Sequence, residues 1–213
     1  MKKASGWFLL LLSVAVAGYA IYSYAFLPPG TTVAPAMKET FQAHRTQTLV
    51  HIFFSAVALV VGPLQFFPGI RQRRVAHRRL GYVYFASVFV GGIAGLAMAF
   101  VAYGGLASRV GFGGLAVVWL YTASRALLAI RQRRFAEHEQ WAVRCFALTF
   151  AAVTLRIYLG LFFAAGFAFD EFYPLLGWLC WVPNLLFAEW VLLRLNPHAS
   201  ATSSALRGTP PAA

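Results

Sequence analysis

Six stretches of the chain, 7–27, 46–67, 80–103, 111–130, 141–166 and 174–195, are each apolar over roughly twenty residues, the length at which a helix crosses the hydrocarbon core of a bilayer. Their polar residues recur at helical spacing. In the second stretch His44, Thr48, His51, Ser55, Ala58, Gly62 and Gln65 share one face, opposite Leu49, Phe53, Val57 and Val60. In the fifth, Cys145, Thr149, Ala152 and Arg156 share a face while Leu148, Leu155 and Phe162 point elsewhere. The third carries Gly91, Gly92 and Gly95, a small-residue stripe that lets another helix, or a flat ligand, approach its backbone. Such faces belong against other helices. The pattern therefore predicts an all-α polytopic membrane protein, a six-transmembrane-helix bundle forming a single domain over 1–195, followed by a disordered cytoplasmic tail at 196–213 rich in Ala, Ser and Pro.

Composition points the same way. The 213 residues are 60% hydrophobic and 11% charged, and the mean hydropathy of +0.67 lies outside the range of soluble domains. A net charge of +12 in a soluble protein would suggest nucleic acid. Here the basic residues fill short loops between apolar runs, which is how a membrane protein fixes its orientation, so nucleic acid is excluded as a partner. Lys2 and Lys3, the five arginines between Arg71 and Arg79, Arg131, Arg133 and Arg134, and Arg194 and Arg207 fall on one side, against Lys38, Arg45 and Arg109 on the other. By the positive-inside rule the richer side, with both termini, is cytoplasmic. The first stretch has a longer apolar centre than a signal peptide and no small-residue cleavage site, so it reads as a retained span. Cys145 and Cys180 are placed ~15 Å apart by helical rise, too far for a disulfide.

With spans and direction assigned, depths can be compared. Arg156 and Asn184 each lie about ten residues from the outer ends of their helices, and His51 lies slightly nearer the outer edge. These three, with Trp181 beside them, are expected to form a polar cluster in the outer half. Arg144 and Glu189 share a level nearer the cytoplasm and are the natural structural ion pair. No acid matches Arg156 in depth, so an anionic group, a ligand or backbone carbonyls must balance it. His77 and His138 sit at equal depth in two similar loops, RQRRVAHRRLG and RQRRFAEHEQW. Two imidazoles on different helices, flanked by arginines suited to propionates, would make them the metal ligands of a haem b. The bland alternative for both is a loop histidine at headgroup level. Enzyme templates are missing: there is no Gly-x-Ser-x-Gly, no His-Glu-x-x-His and no phosphate-cradling glycine loop, and whether the protein is an enzyme stays open. No span is visibly broken in mid-membrane, which counts against a carrier.

HRRLGYVYF (His77 to Phe85), HEQWAVRCFALTFAAVTLRIYLG (His138 to Gly160) and WLCWVPN (Trp178 to Asn184), with the GPLQF of the His51 helix, resemble a bacterial family of predicted membrane proteins known only as a domain of unknown function. The resemblance covers roughly residues 44–190 and implies a multi-span protein of the bacterial inner membrane. By architecture and histidine placement the bundle is also similar to cytochrome b561-type haem bundles, which is a fold-level analogy.

The leading expectation is a membrane redox protein that binds haem b or a quinone, with His77 and His138 as ligands and His51, Arg156, Asn184 and Trp181 around a second site. The alternatives are a small-anion carrier or channel working through Arg156, and a lipid-binding or assembly factor. Partners beyond the lipid bilayer would be a quinone, a lipid or a small anion, with a membrane complex or a homo-oligomer as the setting.

Overall fold

The computed structural model describes residues 3–28, 31 and 34–195. The expected tail at 196–213, and with it Arg207 and the C-terminus, lies outside the described residues, as do Met1 and Lys2. Among the described residues ten α-helices follow one another: α1 (Lys3–Ile21), α2 (Lys38–Ala43), α3 (Arg45–Leu64), α4 (Pro68–Gln72), α5 (Arg74–Ala99), α6 (Gly105–Arg131), α7 (Phe135–Thr149), α8 (Ala151–Ala164), α9 (Phe169–Leu179) and α10 (Val182–Leu195). They make six segments long and apolar enough to span a membrane, Ser5–Phe26, α3, α5, α6, Phe135–Ala164 and Phe169–Leu192. Strands are absent among the described residues, so the chain is an all-α polytopic membrane protein.

The helices outrun the apolar stretches. The α5 helix begins at Arg74 and α7 at Phe135, about a turn and a half before the hydrophobic runs. Arginine and glutamate in these first turns reach the headgroup layer while their backbone is already helical. Two spans also carry a step in mid-course. The fifth changes hydrogen-bond register between Thr149 and Ala151, where the Thr149 hydroxyl donates back to the Cys145 carbonyl (2.9 Å). The sixth steps at Cys180 and Trp181, because Pro183 has no N–H to continue the ladder. Both steps stay helical in their dihedrals, so each span still crosses as one segment.

Helix α3 packs along α5, and α6 occupies the middle, touching α5, α7 and α9. Small residues decide these contacts. A methyl group on Gly111 would come within 2.8 Å of the Gly177 backbone, and one on Gly62 within 2.7 Å of the Phe146 ring. In lipid, where apolar surface gains nothing by leaving water, close backbone approach is what holds such helices together. The central core joins Ala58, Val88, Ala123, Ala126, Leu148 and both cysteines. Cys145 and Cys180 are buried and unpaired. Trp7, Phe8, Ile93, Leu161 and Phe187 stay exposed, as lipid-facing side chains do.

One end of the bundle is basic. There Arg71, on α4, meets Glu139, on α7, in a bidentate pair at 3.0 and 3.2 Å. The opposite end is closed by α2 and by Tyr103, whose hydroxyl donates to Asp170 at 2.7 Å. That bond stabilises the protonated phenol and raises its pKa above the ordinary tyrosine value.

Candidate functional site

A cavity of about 310 Å³ lies in the half of the bundle away from the basic end. Its walls come from α1, α3, α5, α6 and α8, and α2 lies across its outer end through Thr40 and Phe41. Most of the lining is apolar, including Val16, Leu59, Met98, Leu115 and Leu155, and the polar side chains are fewer, among them Thr40, Thr48, His51, Ser55, Thr149, Arg156 and the phenols of Tyr24, Tyr103 and Tyr173. Mostly apolar walls with a few convergent polar groups are what small-molecule sites have in common.

His51 is held on the glycine face of α5. Its Nδ1 lies 2.8 Å from the Gly91 carbonyl, which only accepts, so Nδ1 carries the proton and Nε2 keeps its lone pair. A methyl on Gly95 would sit 2.7 Å from Nδ1 and 2.8 Å from Cε1, and one on Gly91 would sit 3.1 Å from the Ser55 hydroxyl. The glycine stripe is therefore filled by His51 and Ser55 of a neighbouring helix rather than left open for a porphyrin. Arg156, half-buried on α8, uses Nη1 to donate to the Ala152 carbonyl one turn back, at 2.8 Å. Among the described residues no carboxylate pairs with it. The phenols that feel its charge are those of Tyr24 and Tyr19.

The floor of the cavity is a polar knot. Thr149 takes the Trp119 indole N–H at 2.9 Å and the Tyr84 hydroxyl at 2.8 Å while giving its own proton to the Cys145 carbonyl. Tyr84 also lies 3.3 Å from the Cys145 sulfur. All four side chains are buried, and the layer separates the cavity from the packed basic half.

The expected cluster of four is narrower in the structure. His51 and Arg156 share the cavity, whereas Asn184 and Trp181 do not line it. Asn184 is committed to backbone and hydroxyl partners, its amide N–H groups donating to Ala147 O (3.3 Å) and Cys180 O (3.1 Å) while its Oδ1 accepts from Thr154 Oγ1 (3.1 Å). It clasps the stepped part of the fifth span to that of the sixth. Trp181 is buried in the central core and donates to the Gly177 carbonyl at 2.8 Å. Level, counted along each helix, is not azimuth: the step before Pro183 decides which way these two residues face.

Nearer the basic end, Arg144 grips Glu189 with Nε at 2.5 Å and Nη2 at 2.8 Å, its guanidinium over the Trp141 ring. Arg125 pairs with Glu137 at 3.0 Å. His138 donates from Nδ1 to the Ala126 carbonyl at 2.9 Å, leaving Nε2 unprotonated. His77 Nδ1 accepts from the Gln65 amide at 2.9 Å, with that amide oriented so that its oxygen takes the Gly81 N–H, and its proton is therefore on Nε2. Phe85, buried, stands 6.4 Å from the His138 ring. No group of three or more potential metal ligands occurs among the described residues.

The wall residue that the sequence hid is Tyr24. It belongs to a wide helical turn, Tyr22–Phe26, that ends the first span, and such turns recur at functional sites. The only hint was the Tyr19, Tyr22, Tyr24 spacing at the end of an otherwise apolar run.

Neither the curated proteins nor the solved structures contain a match to this chain, and the likeness to cytochrome b561-type bundles is not shown. A family model does match: residues 48–192, from the His51 helix to the end of the sixth span, fit the predicted membrane protein family DUF2306, and the chain belongs to that family.

Proposed function

We propose that the protein is a quinone-binding membrane redox protein of the bacterial inner membrane, with the quinone ring between His51 and Arg156. What supports this is the pairing, in one mostly apolar cavity, of an imidazole whose bare nitrogen accepts with a guanidinium that only donates. A quinone presents carbonyl oxygens that accept from Arg156, and a quinol presents hydroxyls that donate to His51 Nε2. An isoprenoid tail suits the remaining apolar wall. The test is the lipid extract of the purified protein, read by mass spectrometry for quinone. About one equivalent is expected, falling at least tenfold in Arg156→Gln and in His51→Leu, a loss of roughly 1.4 kcal/mol. Wild-type quinone content in both variants would overturn the assignment.

A b-type haem held by His77 and His138 is the second reading. It is favoured by the Nδ1–H of His138 on a backbone carbonyl, the support that orients a metal-binding imidazole with Nε2 free. Two features weigh against it: the Gln65 bond leaves His77 Nε2 protonated, and Tyr84, Phe85 and Ala126 fill the interior on this side. A visible spectrum before and after dithionite decides the matter. A Soret band that sharpens on reduction, and is lost in His77→Ala and His138→Ala, establishes the haem; a featureless spectrum from protein made with ample haem removes it. The anion-carrier reading is less favoured, because the buried Tyr84, Cys145, Thr149 and Trp119 layer lies across the path from Arg156 to the other face.

A further inference from the structure

A second hollow, of about 470 Å³, opens at the basic end between α1 and the turn joining α3 to α5. Trp7 and Leu10 form one wall, Leu64, Phe67 and Ile70 the other, and Arg73 stands at the rim. Trp7 and Phe67 meet edge to face at 5.0 Å, yet Trp7 keeps 62% of its surface exposed. The crevice is therefore an apolar slot facing the surrounding lipid, with a tryptophan at the depth where such rings mark the membrane interface. Its rim is strongly cationic. Residues 68–79 hold Arg71, Arg73, Arg74, Arg78 and Arg79 and no acid. Among the described residues only Arg71 of these five has a carboxylate partner, Glu139. Arg73 and Arg74 are exposed and free of such pairing.

We propose that this crevice is a binding site for an anionic phospholipid, one acyl chain lying between Trp7, Leu10, Leu64 and Phe67 and the phosphate held by Arg73 and Arg74. The two parts of the site match the two parts of one molecule. The slot alone would accept any acyl chain, and the arginines alone any anion; only a lipid with net negative charge satisfies both. Clustered arginines at a membrane surface attract acidic lipids, and guanidinium hydrogen-bonds phosphate in a planar, two-pronged geometry. The site is separate from the outer cavity and independent of what that cavity binds.

Native mass spectrometry of the full chain in detergent, titrated with phosphatidylglycerol and with phosphatidylcholine of the same acyl chains, tests the assignment. Phosphatidylglycerol should be retained preferentially, with a loss of about fivefold for each arginine removed. The Arg73→Gln/Arg74→Gln double variant should bring it down to the phosphatidylcholine level, while Arg109→Gln, at the opposite end, should leave the preference intact. Leu10→Trp, which fills the slot, should weaken both lipids in protein whose circular dichroism and melting are unchanged. Equal retention of the two lipids, a preference that survives the double variant, or displacement of the lipid by millimolar inorganic phosphate would each overturn the proposal.

Discussion

Arg156 and Arg144 stand on the same span three turns apart and meet opposite fates. Arg144 has a bidentate carboxylate partner in Glu189, whereas Arg156 has one backbone carbonyl. Removing Glu189 leaves Arg144, the more buried member, without a counter-charge. Glu189→Gln keeps the shape of the side chain but removes its charge, and should lower stability by about 1–3 kcal/mol. The Arg144→Leu/Glu189→Leu double variant should recover most of that in a thermal melt. Arg156→Gln should behave differently, since a cation near mid-depth costs a few kcal/mol on its own. Its melting temperature should hold or rise while ligand retention falls, and a fall in both would give Arg156 a structural role. Thr149 is the third decisive residue. Thr149→Val strands the Trp119 N–H in a buried layer and leaves the Tyr84 hydroxyl only the Cys145 sulfur, at a cost of roughly 1–3 kcal/mol. Thr149→Ser keeps the hydroxyl and should recover most of it.

At the scale of the helix, the glycine face of α5 and the steps in the last two spans position the cavity. Gly95→Ala puts a methyl 2.7 Å from the His51 ring, so the imidazole must shift off the Gly91 carbonyl. Stability should drop by about 1–3 kcal/mol with loss of bound ligand. Gly160→Ala meets nothing within 4 Å and should be neutral in the same assay. What the sequence discloses at this scale follows from periodicity. The inward face of α3 was legible because Thr48, His51 and Ser55 recur at helical spacing against a clean apolar face, and all three line the cavity. Counting rise along antiparallel spans likewise set Arg144 opposite Glu189. The same counting set Asn184 at its level, beside Thr154, but it did not give the direction in which Asn184 and Trp181 face. It assumes an uninterrupted helix, and Pro183 ends that assumption just where their direction is decided. Tyr24 was illegible for a related reason: the wide turn that carries it breaks the 3.6-residue period, and the apolar run around it offers no polar face to follow.

For the whole molecule, charge and cavity lie at opposite poles, and this asymmetry has a consequence for which compartment the site faces. The loops around Arg71 and Arg131 meet at one end and are tied there by Arg71 and Glu139, while the cavity reaches the other end, where α2, Ala102 and Tyr103 line it. If the basic end is cytoplasmic, as the positive-inside rule requires, the cavity and His51 open toward the outer side, and whatever the cavity binds exchanges with that compartment. Single cysteines in a variant lacking Cys145 and Cys180 read this directly. Cysteines at Gln72 and Gln132 should be labelled by a membrane-impermeant maleimide only after the cells are opened, and cysteines at Thr40 and Ala107 in intact cells. Replacing Arg73, Arg74, Arg78 and Arg79 with glutamine should blur that pattern into mixed labelling, because those four supply most of the charge that holds the second loop inside. Labelling of Gln72 and Gln132 from outside in the otherwise unchanged protein would invert the topology and place the cavity on the cytoplasmic side.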